Sequence, residues 1–242
     1  MEYLCNRGRI VILPDMLGVS ESGRVHHRAI TDRLAVAAAN DAAVREVHRQ
    51  IAEGELDSSH PAIPIFTNFG GGHSMGGYVS VIQQAKHRTY DHLIILGYTT
   101  FGPRLVRGGQ HFRPPFFDLG PDAPLYHSVD RHFMRESFHM DDVPDHVVAA
   151  DTASAVDIPQ LLGHQTASSL FGTEISAIDV PLSLCSGERD VSAAPRQESS
   201  RFDVTNDVTL FMLQNAAHCQ NFASTRTSLF ERTHRWIASF EQ

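Results

Sequence analysis

Apolar positions along this chain fall into two kinds of run. Continuous aliphatic stretches bounded by Pro, Gly or Asp read as buried strands: "GRIVILPD" (8–15), "IPIFTNF" (63–69) running into glycines, "DHLIILGY" (91–98), "VPLSLCS" (180–186) and "DVTLFML" (207–213). Between them the apolar spacing changes to that of a helix. From about Ala29 to Ala52, Leu34, Ala37, Ala38, Val44 and Val47 recur at helical intervals, with Gly54 as a stop. The stretch "MGGYVSVIQQAKH" (75–87) places Val79, Ile82 and Ala85 on one helical face, and an amphipathic helix runs from about Thr225 to Phe240. Strand, helix and strand in alternation predict an α/β fold: a mostly parallel sheet with helices on both faces.

The alternation breaks between residues 99 and 177. "TTFGPRLVRGGQHFRPPFFDLGPDAP" (99–124) is rich in Gly, Pro and aromatics and has no clear period. "VDRHFMRESF", "DVPDHVVAADTAS" and "AVDIPQLLGHQTASSLF" then read as short helices. The expected organisation is a core made of 1–98 and 178–242, with 99–177 inserted as a helical cap. Phe101, Phe112, Phe116, Phe117, Leu125 and Phe133 in this insertion suit either an apolar acyl pocket or ordinary core.

Composition narrows the function classes. A formal net charge of −8 lacks the basic bias of a nucleic-acid binder. No apolar run reaches the ~18–20 residues of a membrane span, and the N-terminus lacks the apolar centre of a signal peptide. Cys5, Cys185 and Cys219 make no disulfide framework. The expectation is a cytoplasmic protein acting on a small molecule, with a homodimer left open. Histidines are numerous but scattered, without HExxH or CxxC spacing, so neither a metal nor a cofactor is expected.

The chemistry gathers at "GGGHSMGG" (70–77). Gly72-His73-Ser74-Met75-Gly76 fits G-x-S-x-G, in which a serine sits on a sharp strand-to-helix turn that demands small neighbours two residues away on either side. The helix N-terminus behind that turn aims the Met75 N–H at a developing oxyanion. A serine needs a base, and the base needs an orienting acid. In an open parallel sheet these arise just beyond strand ends. Asp190 follows strand 180–186 in "SGERD", with Glu188 a close competitor, and His218 follows strand 207–213 in "QNAAHC". His73 reads as a packing residue that also borders the substrate pocket. Tyr98 and Thr99, just past the third strand, are placed beside the cleft, and Cys219 is expected to pack next to His218.

Taken together, these segments resemble the α/β-hydrolase superfamily. "GHSMGG" (72–77) is similar to its commonest nucleophile-elbow wording. "VILPDMLGVSES" (11–22) resembles its strand leading into Asp-x-x-Gly-x-Gly-x-Ser, with Ser20 in place of the second glycine. "LCSGERD" (184–190) and "NAAHCQNFAS" (215–224) are similar to its acid and histidine segments, in family order. The resemblance implies Ser74 as nucleophile, Asp190 as acid, His218 as base and Met75 as one oxyanion donor. Hydrolysis of an ester, thioester or lactone is implied, with acyl transfer, lyase chemistry and carbon–carbon bond hydrolysis as relatives. The resemblance also implies several strands before "VILPD", one of them beside the elbow strand and carrying the loop of a second oxyanion donor. This sequence starts about eight residues before "VILPD", so a truncated fold is expected. A truncated gene product, a sheet closed around the gap, and a non-catalytic binding or scaffold protein all stay open.

Overall fold

A computed structural model describes residues 2–57, 59–114 and 119–241. Its centre is a parallel sheet of four strands in sequential order: β1 (Phe69–His73), β2 (His92–Leu96), β3 (Leu182–Arg189) and β4 (Val208–Ala217). Gly70 pairs with Leu93, Leu93 with Leu182, and Leu182 with Val208, so these four residues form one row across the sheet.

Helix α1 (Arg33–Glu53) starts where the Asp32 side chain accepts from the Leu34 N–H at 2.8 Å. It ends at Gly54, which takes the left-handed conformation (φ 73°). Its buried face is Val36, Ala37, Asp41, Val44 and Ile51, whereas Leu34 and Ala38 are exposed. The apolar face is therefore turned by one position from the spacing read in the sequence. Leu34 lies in the first turn, beside the cap, and Asp41 joins the buried face because Arg45 and Thr89 satisfy its carboxylate. Helix α2 (Met75–His87) is buried continuously from Gly77 to Gln84 because it lies between the sheet and α1. Tyr78, Val79, Val81, Ile82, Leu93, Ile178, Leu182 and Leu184 form the main core with Leu162 and Ile175 from the 99–177 stretch.

That stretch contains two-stranded antiparallel ladders, Leu105–Arg107 with Gln110–Phe112 and Tyr126–His127 with Ile158–Pro159. It also holds the helices α3 (Asp145–Ala153) and α4 (Gln160–Ala167) and a one-turn helix at Arg135–Phe138. Helix α5 (Arg226–Ala238) closes the chain, buries Leu229 and Ile237, and covers β4.

Two expected strands differ. Residues 8–15 belong to no ladder, and Ile10 and Leu13 are exposed. The run 63–68 is not strand either: Ile65 is 90% exposed, and β1 consists of Phe69 and the glycines themselves. The cause is that β1 is an edge strand, paired with β2 alone. Its free side, residues 10–15 and α1 bound a cavity of about 720 Å³. An apolar run with no strand to pair against forms no ladder: here the Ile63 N–H donates to the Ile51 carbonyl and the Asn68 N–H to the Asp91 carboxylate.

Glycine is required along β1 for a local reason. A Cβ on Gly71 would stand 2.1 Å from the Ile94 carbonyl oxygen, and one on Gly70 would enter the Tyr90 ring. No helix of the described residues is long and apolar enough to cross a membrane.

Candidate active site

The β1–α2 turn carries Ser74 in an unusual backbone state, φ 56° and ψ −121°, outside the regions non-glycine residues ordinarily occupy. The turn is held from behind. The Ser74 N–H donates to the Leu96 carbonyl at 2.9 Å, and the Tyr78 N–H donates to the Ser74 carbonyl at 3.1 Å. A Cβ on Gly72 would lie 2.3 Å from the carbonyl carbon of Gly76, so the chain crosses itself there. At Gly76 itself nothing lies within 4 Å of such an atom. The steric demand of this turn therefore falls on Gly72. On the helical side, a Cβ on Gly77 would meet Gly72, Ile95 and Tyr98 at 3.1–3.3 Å, so the glycine lets α2 approach the sheet. The helix begins at Met75, whose N–H is among the first-turn donors that have no intrahelical acceptor.

Asp190 and His218 are the first residues beyond β3 and β4, nearer the strand ends than the sequence pattern predicts, because both strands run past their apolar stretch. The β3–β4 ladder shifts register between Gly187 and Arg189, with Asn215 at φ 50°. This irregularity turns the strand ends toward the serine. Ser74 Oγ is 2.8 Å from His218 Nε2, and His218 Nδ1 is 2.8 Å from Asp190 Oδ1. Glu188 is exposed, and its carboxylate accepts from the Asn215 N–H at 2.8 Å; its place is the bulge, not His218.

Asp190 is 3% exposed. Burial alone would raise its pKa. The His218 hydrogen bond and charge, with the Gly187 and Val191 N–H groups, outweigh burial and hold the carboxyl below its ordinary value. Its four oxygen contacts are all donors: His218 Nδ1 and the Val191 N–H (2.7 Å) to Oδ1, the Gly187 N–H and Gln220 Nε2 (both 2.8 Å) to Oδ2. Gln220 carries no signal of its own in the sequence. Lying two residues beyond the histidine, it could have been found by asking which polar side chain near the site would be buried.

His73 is half-buried beside His218. Its ring lies 4.6 Å from the His218 ring, and Nε2 is 2.7 Å from the His218 carbonyl oxygen, to which it donates. Burial, followed by the neighbouring His218, lowers its pKa to about 4, so it is neutral at ordinary pH. Tyr98 and Thr99 are both buried. The Tyr98 ring packs against Tyr78 and Phe171, and its hydroxyl donates to Ser169. Thr99 is fully buried, and its hydroxyl donates to Glu198. The Gly97 turn (φ 58°) directs both inward.

Cys219 is buried beside Phe138, whose carbonyl accepts its N–H at 2.9 Å, while the His218 N–H donates to Ser137 at 3.0 Å. Burial pushes the Cys219 thiol up to about 12, so it stays protonated. Among the described residues, the potential metal-ligand atoms of His139, Asp151 and Cys219 lie within 4.8 Å of one another. His139 Nε2 already bonds Asp151 at 3.0 Å, with Arg131 3.4 Å from the same carboxylate oxygen. In the insertion, Phe112 and Phe133 stack edge-to-face at 5.8 Å, Phe101 lies beneath the Arg201 guanidinium, and Leu125 is half-buried. Phe116 and Phe117 lie outside the described residues.

No protein-family model and no curated protein matches this sequence. Solved structures do. A thermophilic esterase from Thermogutta terrifontis is similar at a TM-score of 0.66 and 15% identity, covering 95% of this chain and 79% of that one. A methylesterase from Arabidopsis is similar at 0.61 and 16%, covering 99% and 91%. A monoacylglycerol lipase from Paleococcus ferrophilus is similar at 0.61 and 15%, covering 92% and 80%.

Proposed function

On a chain that has the α/β-hydrolase fold, we propose a serine hydrolase acting on carboxylic esters, thioesters or lactones. The observation that carries this reading is the unbroken relay from Ser74 Oγ through His218 to Asp190, both links at 2.8 Å, on a serine held in a strained turn. That the similar solved structures include esterases and a lipase supports the same class of substrate.

In the proposed reaction His218 Nε2 takes the Ser74 hydroxyl proton as Oγ attacks the acyl carbon. The tetrahedral oxyanion accepts from the Met75 N–H at the positive end of α2. Collapse expels the alcohol, which receives the proton from His218. A water then attacks the acyl-enzyme with His218 as base and releases the acid. Asp190 stays ionised throughout; it fixes the imidazole with Nδ1–H toward itself and stabilises the imidazolium. The 99–177 insertion, read as a cap, would shape the acyl pocket. Neither a metal nor a cofactor is needed for these steps.

Turnover of short-chain p-nitrophenyl esters tests the reading. Hydrolysis by the wild type, absent from Ser74→Ala, is the expected result. A folded protein that turns over none of them, yet holds a stable complex with a ligand or partner, would favour a binding protein built on the same fold.

A further inference from the structure

We infer that Gln220 is a positioning residue for the Asp190–His218 pair. The inference rests on the proposed triad for its kinetic consequence, but not for its structural one. Gln220 is 1% exposed on the turn after His218. Its two amide hydrogens point to two oxygens: Nε2 is 2.8 Å from Asp190 Oδ2 and 3.3 Å from the Cys185 carbonyl oxygen. Oε1 has no hydrogen-bond partner among the described residues. A buried carboxamide with an unsatisfied acceptor is destabilising, and a buried apolar side chain of the same shape would avoid the penalty. What the carboxamide supplies that a hydrocarbon cannot is the donor to Oδ2.

That donor matters because of how the carboxylate is loaded. Oδ1 carries His218 Nδ1 and the Val191 N–H, whereas Oδ2 carries the Gly187 N–H and Gln220. With two donors on each oxygen, rotation about the Cβ–Cγ bond breaks several bonds at once, and Oδ1 stays aimed at the imidazole. The side chain is also built around. A Cβ on Gly97 would stand 3.2 Å from Gln220 Nε2 and 2.9 Å from His73 Nε2, so one glycine makes room for both supports. The other support, His73, and the Gln220 N–H (2.8 Å) both donate to the His218 carbonyl oxygen. Gln220 thus holds the acid through its side chain and the histidine through its backbone.

The direct test is the proton NMR resonance of His218 Nδ1–H, which lies far downfield when the imidazole is tightly bonded to a carboxylate and needs no substrate. Gln220→Met, of similar shape without a donor, is expected to broaden this resonance or move it upfield. Where the wild type hydrolyses esters, kcat should fall about tenfold at unchanged KM. Gln220→Glu adds a readout that loss of packing would not imitate. At about pH 5 its protonated carboxyl donates to Asp190 as the amide does, and the resonance stays as in the wild type. By about pH 8 two carboxylates repel and the resonance is lost. Wild-type resonances in both folded variants across this range would overturn the inference. So would loss of the fold in both, which would make Gln220 structural. A shifted resonance in a protein without esterase activity would sustain the inference and remove the proposed function instead.

Discussion

The two sides of strand β1 behave as different materials. Toward β2, every residue from Phe69 to His73 has a partner, Ser74 continues the pattern through Leu96, and the glycines admit the Tyr90 ring and the Ile94 carbonyl at distances no side chain would allow. Away from β2, the same strand faces a cavity of about 720 Å³, bordered by residues 10–15, which join no ladder. The candidate triad belongs to the first side. Ser74, Asp190 and His218 sit at the ends of β1, β3 and β4, and none of their positioning bonds crosses the cavity. A relay of this kind is set by strand ends and turn geometry, so it survives beside an open edge.

Variants on the closed side should have the largest effects. Asp190→Asn keeps size and burial but offers His218 an amide, which favours the wrong imidazole tautomer. Turnover should fall about 10⁴-fold, with thermal stability changed far less, as read by steady-state kinetics beside a melting curve. Gly71→Ala drives a methyl group into the Ile94 carbonyl and should destabilise by about 3 kcal/mol or more, lowering Tm by roughly 6–12 °C. Gly76→Ala, with open space at its Cβ, should stay within about 1 kcal/mol. Equal melting temperatures for the two variants would break the contrast between a strand glycine and a turn glycine.

His73 sharpens the contrast by pH. Its folded pKa of about 4 lies below the ordinary histidine value of about 6.5, so in that interval the unfolded chain binds a proton that the folded chain does not. Stability from this group is full above about pH 6.5, is lost as pH falls toward 4, and levels off below. The change is at most about 3 kcal/mol. His73→Gln should flatten the dependence of Tm on pH between those values, and an unchanged slope would contradict a buried neutral histidine. On the open side, Ile65→Asp should alter stability by less than about 0.5 kcal/mol, measured by urea denaturation. A loss like that of a core residue would mean that the Ile65 side chain is packed, against its 90% exposure here.

The same contrast explains what was legible in the sequence. Strands β2, β3 and β4 and helices α1, α2 and α5 announced themselves by apolar runs and helical spacing, because both faces of the sheet are covered there and burial selects the residues. The G-x-S-x-G spacing and the order of the three polar residues picked out three side chains that the fold brings together, since each lies at a strand end. The reading failed where partners decide. "RIVIL" and "IPIF" have the composition of strands, but a strand needs a neighbouring edge, and composition does not say whether one is there. Nothing in the G-x-S-x-G spacing calls for Gly70 and Gly71; it is Tyr90 and Ile94, some twenty residues away, that require them. Gln220, His73, Tyr98 and Thr99 took their roles from which way a side chain turned, which one-dimensional spacing does not carry.

The central claim is that Ser74 is a nucleophile activated by His218 and Asp190, and covalent labelling tests it most directly. Incubation of the folded protein with a fluorophosphonate, followed by intact-mass and peptide analysis, should give one adduct on Ser74. Ser74→Ala should give none, and His218→Ala should label far more slowly. A folded wild-type protein that takes up no probe, or labelling that persists in Ser74→Ala, would contradict the account.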